Sequence, residues 1–147
     1  MTNGKPEVGF IGLGIMGQPM ALNLQRAGYG LHICDHDPAA LSELAANGAG
    51  ICLSGEAVAQ NAEIIILMVP DTPHVEAVLF DDEGVAAGLE AGKLVIDMSS
   101  ISPTATVDFA RRINELGCDY LDAPVSGGAA KAITGELSIM VGGCVRR

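Results

Sequence analysis

The chain has 147 residues, a formal net charge of −10 and a hydrophobic fraction of 49%. That fraction excludes a disordered chain, and the length is enough to bury a core of its own. Eight Lys and Arg residues, 3% aromatics and no Trp exclude phosphate-backbone binding and base stacking, and with them a nucleic-acid partner.

Short β-rich runs alternate with Ala- and Leu-rich stretches, the pattern of βαβ units around a parallel sheet. The first seven residues read as a disordered lead-in, and residues 8–147 as one domain. Val8 to Ile11 predicts a strand, and Ile15 to Ala27 a helix stopped at Gly28. A second strand, Leu31 to Cys34, precedes a helix from Pro38 to Asn47. A weak strand at Gly50 to Leu53 leads to a short helix near Glu56 to Gln60. Ile64 to Val69 is an unbroken apolar run, as expected for a parallel strand covered on both faces. A short helix is expected at Val75 to Leu79 and a strand at Leu94 to Met98. Pro103 then opens a helix to about Leu116, with Ser102 as its cap. Strands at Tyr120 to Ala123 and Ser138 to Val141 complete the reading. The expected fold is α/β, a Rossmann-type doubly wound, mostly parallel sheet with helices on both faces.

The longest apolar run has six residues, against about 20 needed to span a bilayer, so no membrane partner is expected. The polar start carries no signal-peptide pattern. Cys34, Cys52, Cys118 and Cys144 form no CxxC, which fits reduced thiols in a cytoplasmic protein and no metal site.

The first strand runs into Gly12-Leu13-Gly14-Ile15-Met16-Gly17, a G-x-G-x-x-G turn at a helix start. Gly12 permits the tight turn, Gly14 lets backbone approach a pyrophosphate, and Gly17 lets helix and strand pack closely. Amides at the helix N-terminus let an acidic chain hold an anionic dinucleotide. Asp35 closes the second strand 23 residues after Gly12, where it would meet an adenosine ribose hydroxyl. Cys34-Asp35-His36-Asp37 offers no Arg or Lys for a 2′-phosphate, so NAD is expected, with NADP as the alternative. Other loops at the carboxyl ends of strands are Met68 to Pro73, Asp97 to Ser100 and Asp122 to Gly128. His32, His36 and His74 do not cluster and read as structural or surface residues. Asp81-Asp82-Glu83 reads as a solvated acidic turn.

These features together resemble the β-hydroxyacid dehydrogenase family, the group that contains 3-hydroxyisobutyrate dehydrogenase. The resemblance rests on Gly9 to Gly17, Met20, Asn23, Asp97-Met98-Ser99-Ser100 and Asp122-Ala123-Pro124-Val125-Ser126-Gly127-Gly128, and spans about Val8 to Gly143. It implies NAD(P)-dependent interconversion of a small 3-oxo acid and its 3-hydroxy acid. Gly12, Leu13, Gly14, Ile15, Met16 and Gly17 would hold the pyrophosphate, and Asp35 the ribose. Val69 and Pro70 would line the cofactor cleft, Ser100 would lie near the nicotinamide, and Ser126, Gly127 and Gly128 would hold the substrate carboxylate. The family's catalytic lysine lies on a helix matching no position here, and Lys5, Lys93 and Lys131 do not take its place. The expectation is therefore a nucleotide-binding half without the family's helical substrate and dimerisation domain. It would either serve catalysis in the parent enzyme, act as a dinucleotide-binding module, or self-associate as a homo-oligomer.

Overall fold

The computed structural model describes residues 4–143; Cys144 and the three residues after it lie outside the described residues. In chain order the elements are β1 (Val8–Ile11), α1 (Gly17–Arg26), β2 (Leu31–Cys34), α2 (Pro38–Ala46), β3 (Gly50–Ile51), α3 (Gly55–Asn61), β4 (Ile64–Leu67) and α4 (Thr72–Phe80). There follow α5 (Val85–Gly88), β5 (Leu94–Asp97), α6 (Pro103–Asn114), β6 (Asp119–Asp122), β7 (Val125–Ser126), α7 (Gly128–Thr134), β8 (Ser138–Ile139) and β9 (Gly142–Gly143).

The main sheet has the order β3-β2-β1-β4-β5-β6-β9, parallel throughout except for the antiparallel β9. The order reverses between β1 and its two neighbours β2 and β4. That is the switch point of a doubly wound fold, where a crevice opens at the carboxyl ends of the strands. β7 and β8 form a separate antiparallel pair.

Side chains alternate between two cores, one on each face. From β4, Ile65 and Leu67 enter one core with Val58, Val75, Val85, Val95 and Phe109. Ile66 enters the other with Phe10, Leu13, Met20, Ala21, Ile33 and Leu44. The continuous apolar run of β4 thus satisfies both faces at once. Gly9 faces the first core, where a Cβ would collide with Val58, so α3 can lie directly on β1.

Caps set the helix starts. Asp37, Ser54, Asp71 and Ser102 each accept an amide N–H from the first turn of α2, α3, α4 and α6. The Asp71 cap, with a proline in the first turn, starts α4 at Thr72 rather than at the expected Val75. Four elements were not anticipated: α5, β7, β9 and α7. The last lies between Gly127 (φ 134°) and a left-handed Gly135 (φ 77°), glycines that from sequence alone read as a loop. The expected strand at Ser138 to Val141 shortens to β8, paired with β7, and Gly142–Gly143 beyond it form β9, paired with β6. Glu7, assigned to the lead-in, is tied into the fold: its carbonyl accepts the amide of Glu63 at 2.9 Å, and its carboxylate lies 2.9 Å from His32 Nε2.

Candidate dinucleotide-binding site

The glycine turn joins β1 to α1 at the switch point. Two of its glycines are dictated by the chain itself. Gly12 has φ +97°, and a Cβ there would overlap the carbonyl oxygen of Met68; a Cβ on Gly17 would overlap the carbonyl of Gly12. Gly14 differs. A Cβ at this position would meet no atom within 4 Å. Nothing in the protein requires glycine there, and the space it leaves faces the crevice. α1 also opens without a side-chain cap and without an acidic residue in its first turn. An uncapped helix start beside an open approach fits a pyrophosphate.

Asp35 lies at the end of β2 on the same crevice. Its Oδ2 accepts the Leu13 amide at 2.6 Å, and its Oδ1 accepts the Asp37 amide at 2.8 Å. The carboxylate therefore fixes the glycine turn from the crevice. Leu13 turns its side chain into the core and contributes to the site only through this amide.

The opposite wall rests on a buried polar network. Ser99 Oγ accepts the Val69 amide at 2.9 Å, fixing the loop after β4. The Ser99 amide donates to Asp97 Oδ1 at 3.0 Å, and the Tyr120 hydroxyl donates to Asp97 Oδ2 at 2.8 Å. Asp97 and Ser99 are fully buried. Burial raises the Asp97 carboxyl above its usual range, and the donors from Ser99 and Tyr120 pull it back. Burial and the neighbouring carboxylate hold the Tyr120 phenol far above its usual value. The sequence marked Asp97 to Ser100 as a crevice loop; it gave no sign that Tyr120 would reach Asp97, because that contact crosses between β5 and β6.

The resulting cleft has a volume of about 810 Å³, within the range of small-ligand sites. Gly12, Gly14, Ile15, Met16, Gly17, Asp35, Val69, Pro70 and Ser100 line it together. The walls also include His36, His74 and Asp81-Asp82-Glu83. The acidic turn, read from sequence as merely solvated, is thus both exposed and part of the cleft rim. His74 Nδ1 lies 2.6 Å from Asp71 Oδ1, and this contact lowers the Asp71 pKa. Among the described residues, no Lys or Arg lines the cleft. Ser126, Gly127 and Gly128 are exposed and lie outside its lining. They lead into α7, whose first residue is Gly128 and which Asn23 of α1 holds through Nδ2 bonds to the carbonyls of Ala132 (2.8 Å) and Ile133 (3.4 Å).

Comparison with known proteins agrees with this geometry. The family model for the NAD binding domain of 6-phosphogluconate dehydrogenase matches residues 7–146. The 2-hydroxy-3-oxopropionate reductase of Escherichia coli K12 is 56% identical over 137 residues, 93% of this chain and 47% of that protein. The NAD-dependent L-serine dehydrogenase of Pseudomonas aeruginosa is 44% identical over 93% of this chain and 46% of its own length. Among solved structures, Mycobacterium tuberculosis 3-hydroxyisobutyrate dehydrogenase with L-serine superposes with a TM-score of 0.87 at 35% identity, covering 98% of this chain and 47% of that one. The chain spans about half the length of the curated relatives it matches.

Proposed function

The chain belongs to the family of the NAD binding domain of 6-phosphogluconate dehydrogenase, in its 3-hydroxyisobutyrate dehydrogenase-like branch, and from that premise we propose that it is the cofactor-holding half of a hydroxyacid dehydrogenase that reduces 2-hydroxy-3-oxopropanoate to glycerate. The observation that carries this reading is Gly14, which lines the cleft and whose missing side chain leaves open space at the uncapped start of α1. The choice of substrate is supported by the 56% identity to the E. coli reductase, of which this chain covers 47%.

When bound, the cofactor supplies or accepts the hydride. The chain's own residues position it. Gly12, Gly14, Ile15, Met16 and Gly17 would hold the pyrophosphate, with Leu13 serving through its bond to Asp35. Asp35 would accept a bond from the adenosine ribose. NAD is favoured over NADP because Asp35 and the Asp81 to Glu83 rim would repel a 2′-phosphate, and among the described residues no Lys or Arg in the lining offsets them. Val69 and Pro70 would support the nicotinamide end beside Ser100. Ser126, Gly127 and Gly128 would receive the substrate carboxylate through hydroxyl and backbone amide groups.

A second reading, a dinucleotide-binding module without turnover, draws on the absence of Lys5, Lys93 and Lys131 from the cleft lining. Acid catalysis at the carbonyl oxygen needs a proton donor within reach. Titration with NADH followed by an assay with 2-hydroxy-3-oxopropanoate separates the two readings. Binding with turnover supports the dehydrogenase half acting by itself. Binding without turnover supports the module for this chain, and failure to bind contradicts both.

Among the described residues no helix is long and apolar enough to cross a membrane. A cytoplasmic setting is proposed from the thiol usage. Homo-oligomer formation would use the apolar groove beside β5 and β6, where Ile139 and Val141 are exposed.

A further inference from the structure

Two cysteines lie side by side at the adenosine end of the cleft, outside the roles described above. Cys34 ends β2, and Cys52 follows β3. The strands pair in parallel with His32 opposite Gly50 and Ile33 opposite Ile51, and the next step of that register sets Cys34 opposite Cys52. The ladder continues to this step, because the Cys52 amide donates to the Ile33 carbonyl at 2.8 Å. Both side chains pack against the same core cluster, so they share one face of the sheet. Both thiols are free and half-buried, and Cys34 lines the cleft next to Asp35.

We propose that Cys34 and Cys52 form a reversible disulfide that lowers the affinity of the cleft for its dinucleotide. Neighbouring strands run about 4.8 Å apart, within the Cα separation that a disulfide accepts. The Cβ atoms must close to about 3.8 Å, which draws the end of β2 toward β3. Asp35 is the next residue, and it holds both the glycine turn and the ribose position, so the bridge acts where cofactor affinity is set. The oxidant is a small-molecule disulfide. The thiolate of one cysteine attacks it, forming a mixed disulfide and releasing one external thiol. The thiolate of the other cysteine displaces the second external thiol. Two protein thiols lose two protons and two electrons, and one external disulfide becomes two thiols. Burial raises both thiols, and Cys34 is raised further by Cys52 and Asp35, so the pair rests protonated at neutral pH and exchange is slow.

This inference rests on the cleft being the dinucleotide site, and its test reads the bridge and the affinity separately. The chain is incubated with oxidised glutathione at mildly alkaline pH, the bridge is mapped by peptide mass spectrometry, and NADH is titrated before and after. The expected result is a Cys34–Cys52 bridge, a roughly tenfold rise in the NADH Kd, and recovery of both on reduction. Cys52→Ser, which leaves the cleft lining intact, should bind NADH normally and show no change with oxidant. Failure to form the bridge, a bridge to Cys118 or Cys144 instead, or a bridge with unchanged NADH affinity would each overturn the proposal. A reduced protein that binds no NADH would overturn the cleft assignment itself, and the effect on affinity with it, whatever the bridge mapping showed.

Discussion

The carboxylate of Asp35 accepts the amide N–H of Leu13 at 2.6 Å, tying the end of one strand to the glycine turn of its neighbour. One side chain thus has two duties. It shapes the turn without any ligand, and in the proposed function it would also accept from a ribose hydroxyl. Asp35→Ala is expected to weaken NADH by roughly tenfold or more, from loss of a charged hydrogen bond. NADPH should lose less, because repulsion of its 2′-phosphate is relieved at the same time. Equal loss for both cofactors would reduce Asp35 to its turn-holding role.

The glycines separate structure from binding. Gly14→Ala should unfold at the wild-type temperature, since the added methyl meets no atom within 4 Å, yet lose dinucleotide affinity. Gly17→Ala should lower the unfolding temperature, because the methyl lands on the Gly12 carbonyl. Thermal unfolding and NADH titration on both variants check the pair. Unchanged NADH binding in Gly14→Ala would mean that no ligand approaches there.

Ser99 supports the other wall of the cleft. Ser99→Ala leaves the Val69 amide without its acceptor and should cost about 1–3 kcal/mol. Tyr120→Phe removes a donor to buried Asp97 and should cost a similar amount. Chemical denaturation measures both.

Asp97 makes stability depend on pH. Its folded pKa is raised above the ordinary value of 3.8. A raised carboxyl favours folding fully below the unfolded pKa, and that contribution is lost as pH rises through the folded pKa. Wild type should therefore lose stability relative to Asp97→Asn as pH climbs from below 3.8 through the raised value. Parallel denaturation of the two proteins across this window reads the difference, and a constant difference would contradict the assignment.

Much of this was legible in the sequence, because the signals were local. β1, β2 and the glycine turn follow from short-range pattern, and the mostly parallel, doubly wound sheet follows from alternating strands and helices. What escaped depended on distant partners. Tyr120 reaches Asp97 across two strands, and the Asp81 to Glu83 turn joins the cleft because α4 carries it there. α7 was hidden by glycines that mark its ends as readily as they mark a loop. Ser126 to Gly128, singled out for a substrate carboxylate, lie outside the cleft lining.

Calorimetric titration of the reduced chain with NADH and NADPH tests the central claim most directly. One saturable site, with NADH bound more tightly than NADPH, is the predicted result. No binding of either, or tighter binding of NADPH, would contradict the account.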